Sequence, residues 1–86
     1  MTADAPSPKQ LLEYLARGLV DEPEQVRVTE VREGDGTVVL ELSVAPDDYG
    51  SVIGRGGRTA GALRTVVKTA AVRHGQRVFV DIVDDV

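Results

Sequence analysis

The spacing of apolar residues alternates between helical and strand periods along the chain, and each switch marks an element. Leu11, Leu12, Leu15, Ala16 and Leu19 recur at three- and four-residue intervals and predict a helix with one apolar face. Ser7-Pro8-Lys9-Gln10 supplies its start: a capping serine, a proline suited to the first helical position, and a glutamine that completes a capping box. Asp21-Glu22-Pro23 ends it. Over residues 25–33 Val26 and Val28 alternate but Val31 falls out of phase, which predicts a strand carrying a bulge. After the turn Gly34-Asp35-Gly36, Val38, Leu40, Leu42 and Val44 share one face of a strand over 37–45, with Glu41 and Ser43 on the other. The two strands form a hairpin. Tyr49, Val52 and Ile53 then sit at helical spacing for barely two turns before Gly54 stops them, and Asp47 and Asp48 suit the start of that helix. A longer helix follows Gly57, with Leu63, Val66, Val67, Ala70 and His74 along its apolar side and Gly75 as terminator. Alternation returns over 77–83 through Val78, Val80 and Ile82. The fold class is α+β, in the order α-β-β-α-α-β, with a three-stranded sheet covered on one face by three helices. Residues 1–6 read as a flexible tail and 7–86 as the domain.

Composition narrows the function. At 86 residues, 42% hydrophobic and 28% charged, the chain suits one folded domain with a modest core. It has no cysteine, which excludes disulfides, thiolate catalysis and zinc–sulfur sites. No apolar run approaches the ~20 residues of a membrane helix, and the first residues lack a basic start and an apolar stretch, so the expected location is the cytoplasm and no membrane partner is expected. The net charge of −4 speaks against nucleic acid until its distribution is considered. Residues 49–80 contain no acid, yet hold Arg55, Arg58, Arg64, Lys68, Arg73 and Arg77. Runs of like charge are usually solvated faces; a whole segment avoided by fourteen acids predicts a face kept positive.

Within that segment lies Val52-Ile53-Gly54-Arg55-Gly56-Gly57-Arg58. A tight link between two helices needs a positive φ somewhere, which accounts for one of these glycines and at most a second. The loop also carries Arg55 and Arg58 and opens directly into the long helix, whose first N–H groups and positive dipole end favour phosphate. Gly54-Arg55-Gly56-Gly57 resembles the GxxG loop of a KH domain, and the element order resembles the bacterial, type II form of that fold. The extended stretch from Val52 to Val67, including Arg58-Thr59-Ala60 and Ala62-Leu63-Arg64-Thr65-Val66-Val67, is similar to the core motif of the small bacterial KH family called KhpA, and the likeness extends over nearly the whole chain after the tail.

The resemblance implies a protein that binds single-stranded RNA, acts as an RNA chaperone, and forms a homodimer or pairs with a larger KhpB-like KH protein. No ligand cluster in the sequence supports a metal site, and no cofactor is expected. In KH domains the loop clamps about four nucleotides by their backbone while the bases enter an apolar groove. Carried over, Gly54, Arg55, Gly56 and Gly57 hold phosphates and Arg58 adds a contact; Val52, Ile53, Ala60, Leu63 and Arg64 form one groove wall, and an unplaced sheet edge forms the other. Two departures, Gly56 where relatives often carry a polar or basic residue and Gly61 early in the long helix, imply weaker binding than in a basic relative.

Other chemistries fit poorly. A dinucleotide fingerprint needs a third glycine where Thr59 stands and a strand before the loop. No Gly-Lys-Ser/Thr exists for a P-loop. His74 is the only histidine and sits on the apolar stripe, no serine has a nucleophile's context, and the acid pairs Asp47-Asp48 and Asp84-Asp85 suit a helix start and a solvated tail; enzymatic activity is not expected. Two alternatives remain at this level: a KH-fold module that pairs with another protein while RNA binding is residual, and single-stranded DNA as the ligand. With only 3% aromatic residues, stacking platforms of the RRM or OB kind are not expected.

Overall fold

Ser7 opens the first helix as its sequence predicts. The computed structural model describes residues 6–84, so the expected tail over residues 1–6 lies outside the described residues except for Pro6. The Ser7 hydroxyl accepts the Gln10 N–H at 3.1 Å, and the Gln10 side chain accepts the Ser7 N–H at 2.9 Å. Helix α1 (Pro8–Leu19) then buries Leu12 and Ala16. A short 3-10 turn over Pro23–Gln25 leads into β1 (Arg27–Arg32), which pairs antiparallel with β2 (Val38–Ser43). Helix α2 (Tyr49–Ile53) and helix α3 (Arg58–Arg73) follow, and β3 (Val78–Ile82) pairs parallel to β2 on its other side. The sheet is mixed, in the order β1-β2-β3, with helices on one face: the expected α+β architecture.

Even-numbered strand residues face the helices. Val28, Val38, Leu40, Leu42, Val78 and Val80 meet Leu12, Val52, Leu63 and Val67 in one core. The register of β1 on β2 runs without interruption from Arg27↔Ser43 to Arg32↔Val38, so no bulge exists. Val31 is out of phase because it lies on the open face, opposite Val39, which in turn neighbours Phe79. The buried stripe of α3 is Ala60, Leu63, Val67 and Ala71 rather than the predicted 63/66/67/70/74. Val66 and His74 are exposed, and His74 is the helix's C-terminal cap residue rather than a packed one.

The hairpin turn is held by Asp35, whose carboxylate accepts the Thr37 N–H at 2.9 Å. Those hydrogen bonds to Thr37 hold the Asp35 carboxyl below its ordinary value. What the contact contributes is therefore present above the unfolded carboxyl's pKa and lost as pH falls through the lowered folded one.

Asp48 has a role that its neighbourhood in sequence conceals. It caps nothing locally. Instead it is buried and accepts the N–H groups of Asp21 and Glu22, both at 3.1 Å and 26–27 residues away, tying the exit of α1 to the start of α2. Asp48→Asn leaves a single acceptor oxygen and turns an NH₂ donor toward a second N–H donor. The expected loss of stability is about 2 kcal/mol, read from chemical denaturation with an unchanged m-value; a loss below ~0.5 kcal/mol contradicts this role. Among the described residues no helix is long and apolar enough to cross a membrane.

Candidate nucleic-acid interface

The chain reverses between α2 and α3 in four residues, and the reversal demands unusual backbone. Gly54 ends α2 at φ 75°, ψ 173°, its N–H donating to Gly50 O at 2.9 Å. This region is essentially open to glycine alone. Space forbids a side chain as well: a Cβ on Gly54 would collide with Thr59 Oγ1 and lie 2.8 Å from the Thr59 nitrogen. Gly56 (φ 60°) and Gly57 (φ 77°) continue in the left-handed region within a 3-10 turn. All three glycines thus have a conformational reason, one more than the sequence reading allowed, because α3 starts immediately and the link has no room to spread its turn. The glycines alone do not argue for a ligand.

Their surroundings carry that argument. A Cβ on Gly56 or Gly57 would meet nothing within 4 Å, so this backbone faces open space. No side chain caps the N-terminus of α3. Arg55 and Arg58 flank the bare backbone and are both exposed. Among the described residues the one ion pair is Arg32–Glu30 at 2.7 Å, so no carboxylate neutralises any of the six cations of residues 49–80 by direct contact.

Beside the loop lies a concavity of about 640 Å³. One wall is Ile53, Gly57, Ala60 and Arg64; the other is Ile82 and Asp84, with Pro46 and Tyr49 at one end. Of the predicted wall residues, Ile53 is 41% exposed, whereas Val52 is fully buried and Leu63 is 5% exposed. Val52 and Leu63 belong to the core and do not line this concavity, whereas Ala60, only 4% exposed, does. The unplaced wall is the edge of β3. Val38 N–H donates to Arg77 O and Val83 N–H to Leu42 O, both at 2.9 Å. Odd residues of β3 therefore bond to β2, and the amides of Val78, Val80 and Ile82 point to the open edge. Arg64 Nε donates to the Val80 carbonyl at 3.2 Å. The Tyr49 hydroxyl donates to Val83 O and pins α2 to the end of β3, which sets the span of the groove there. Only the strand order reveals Ile82 and Asp84 as wall residues; no local pattern does.

A second, larger concavity of about 1350 Å³ lies between α1 and α3 and is apolar, lined by Leu11, Tyr14, Leu15, Ala62 and Val66 among others. Tyr14 is 75% exposed.

The family model for the KH domain of KhpA and KhpB matches residues 9–82. The chain belongs to the KhpA/KhpB KH family. Its relatives within the family include the RNA-binding protein KhpA of Clostridium acetobutylicum, 55% identical over 87% of this chain and 99% of that protein. The RNA-binding protein KhpA of Halalkalibacterium halodurans is 53% identical over 88% and 99%, and that of Leifsonia xyli is 51% identical over 86% and 93%. Among solved structures, a crystal structure of a point variant of Aquifex aeolicus Era bound to GDP.AlF4- matches with a TM-score of 0.59 at 20% identity. It covers 99% of this chain, which spans about a third (34%) of Era, and at that identity it shows the fold alone. The KhpA/KhpB KH family is not catalytic, and the chain is not an enzyme. The loop Gly54-Arg55-Gly56-Gly57 lies between α2 and α3, inside the matched residues.

Proposed function

We propose that this protein binds single-stranded RNA, clamping its backbone at Gly54, Arg55, Gly56, Gly57 and Arg58 and receiving bases in the groove between α3 and the β3 edge. The observation that carries the reading is the open backbone of Gly56 and Gly57, between two unpaired arginines, at the mouth of an apolar groove and the uncapped start of α3. Relatives named RNA-binding proteins support it. Phosphate oxygens accept from backbone N–H groups and from Arg55 and Arg58. Bases lie over Ile53 and Ala60, with Arg64 alongside, while Val52 and Leu63 hold that wall in place from behind. The outward amide of Ile82 and the carboxylate of Asp84 face base edges; a carboxylate repels phosphate and accepts from base amino groups, so it fixes which side of the strand turns inward.

One groove engages about four nucleotides, so a monomer binds with micromolar affinity at best and low selectivity. With about three phosphates neutralised, the slope of log K against log salt is near −2. Fluorescence polarisation of a short labelled RNA across a series of salt concentrations checks this, and a slope near zero contradicts the clamp. Rapid, weak exchange of strands suits an RNA chaperone in the cytoplasm. Useful affinity then calls for a second groove, from another copy or a KhpB-like partner. The apolar concavity between α1 and α3, with Tyr14, Leu19 and Val66 exposed, supports pairing there. Its α3 residues, Thr59, Ala62, Leu63 and Val66, are not those that line the groove, so pairing and RNA binding are compatible.

A further inference from the structure

Phe79 is the only phenylalanine of the chain, and it lies on the open face of the sheet, on edge strand β3, 40% exposed. Two cations converge on it from different elements. Lys68 Nζ, reaching from α3, stands 4.9 Å from the ring centroid, and the Arg77 guanidinium stands 6.0 Å away. Neither cation is in an ion pair among the described residues. On α3, Ala60, Arg64 and Lys68 are spaced four residues apart and so lie on one side of the helix, the side facing β3. Arg64 there touches Val80, and Lys68 touches Phe79. The seam between α3 and the β3 edge therefore runs from the loop, past Arg64, to Phe79; Asp84 is its acid at the loop end, and Arg64, Lys68 and Arg77 are the charges beyond.

We propose that single-stranded RNA bound at the loop continues along this seam to a second subsite, where a base stacks on Phe79 while Lys68 and Arg77 hold the flanking phosphates. The inference rests on the loop reading above and extends its footprint. From Arg58 to Lys68 is ten residues of helix, about 15 Å. A stacked strand advancing ~3.4 Å per nucleotide covers that in about four steps, and an extended one in fewer. Base–aromatic stacking is indifferent to sequence, since every base has a π-face. An exposed cation–π pair is weak, so both cations can turn from the ring to a phosphate at little cost. Acids bound the subsite: Asp81 is two residues along the same sheet face, and Asp35 is near enough to Arg77 for that charge to help lower its pKa. Phosphate is thereby confined to the seam side of the ring. The low aromatic content that argued against a stacking surface leaves room for one ring in one place.

The test compares unstructured single-stranded RNAs of four and ten nucleotides by fluorescence polarisation on the full chain. In the wild type the longer RNA binds more tightly. Phe79→Leu, which keeps apolar volume against Val39, and the surface pair Lys68→Glu/Arg77→Glu each leave the four-nucleotide affinity within about twofold. Each weakens the ten-nucleotide RNA about fivefold or more. The charge pair keeps the test decisive should Phe79→Leu disturb the sheet. If the advantage of the longer RNA survives both variants, the subsite does not exist. A wild type that binds neither length, or a loop variant that loses nothing, overturns the loop reading itself, a result separate from the first.

Discussion

Gly54→Ala is expected to destabilise the domain by about 3 kcal/mol, and Gly56→Ala by about 1 kcal/mol. Both glycines have positive φ, at 75° and 60°. Gly54, with ψ at 173°, is in the region that only glycine populates, at a cost of ~1–3 kcal/mol for any other residue. The added methyl must also push aside Thr59, colliding with its hydroxyl and lying 2.8 Å from a backbone nitrogen that cannot rotate clear. Overpacking of this kind adds ~1–3 kcal/mol. Gly56 at ψ 20° has ordinary left-handed geometry and open space, so alanine there meets only the left-handed penalty of ~1–2 kcal/mol. For a domain of this length, a loss of about 3 kcal/mol lowers Tm by about 15 °C. Thermal unfolding of the two variants side by side is the check; equal shifts contradict the close approach of Gly54 to Thr59.

The contrast between these glycines indicates what a sequence can and cannot convey. Elements with a local cause were legible: the capping box at Ser7 and Gln10, the strict alternation of β2, and the stop at Gly54. What failed depended on a partner distant in sequence. Val31 read as a bulge because a lone valine out of phase looks the same whether the strand kinks or the residue pairs across the open face with Val39. Asp48 stands at the start of α2 as its sequence predicts, but its carboxylate accepts from the distant Asp21 and Glu22 rather than from the helix. On α3 the apolar set was right in kind and wrong in phase, since Val66 and Val67 are adjacent and only packing decides which of them turns inward.

The candidate site divides along the same line. The loop, its arginines and the acid-free segment were visible as local facts. Ile82 and Asp84 were not, because their place in the groove follows from β3 being the outer strand beside β2. Val52 and Leu63 fall inside the same motif as Ile53 and Ala60, and only the packing of the helices separates the pair in the core from the pair that lines the groove.

Arg55→Asp/Gly56→Asp is expected to weaken RNA binding at least about thirtyfold, about 2 kcal/mol, in a chain that remains folded. Each change sets a carboxylate where a phosphate is to lie, and the first also removes a charge-assisted donor. Asp is among the residues best tolerated in the left-handed region that Gly56 occupies, and both positions are exposed, so stability falls by only about 1 kcal/mol. Circular dichroism separates the two effects. Equal binding by the folded double variant and the wild type removes the loop from the interface.

The most direct test of the central claim is amide chemical-shift mapping of the ¹⁵N-labelled protein during titration with a short single-stranded RNA. The largest shifts are expected on residues 53–60 and on Arg64 and Ile82, around the groove beside the loop. Shifts confined to the α1–α3 concavity, at Tyr14, Leu19 and Val66, or absent at millimolar RNA, would contradict that claim.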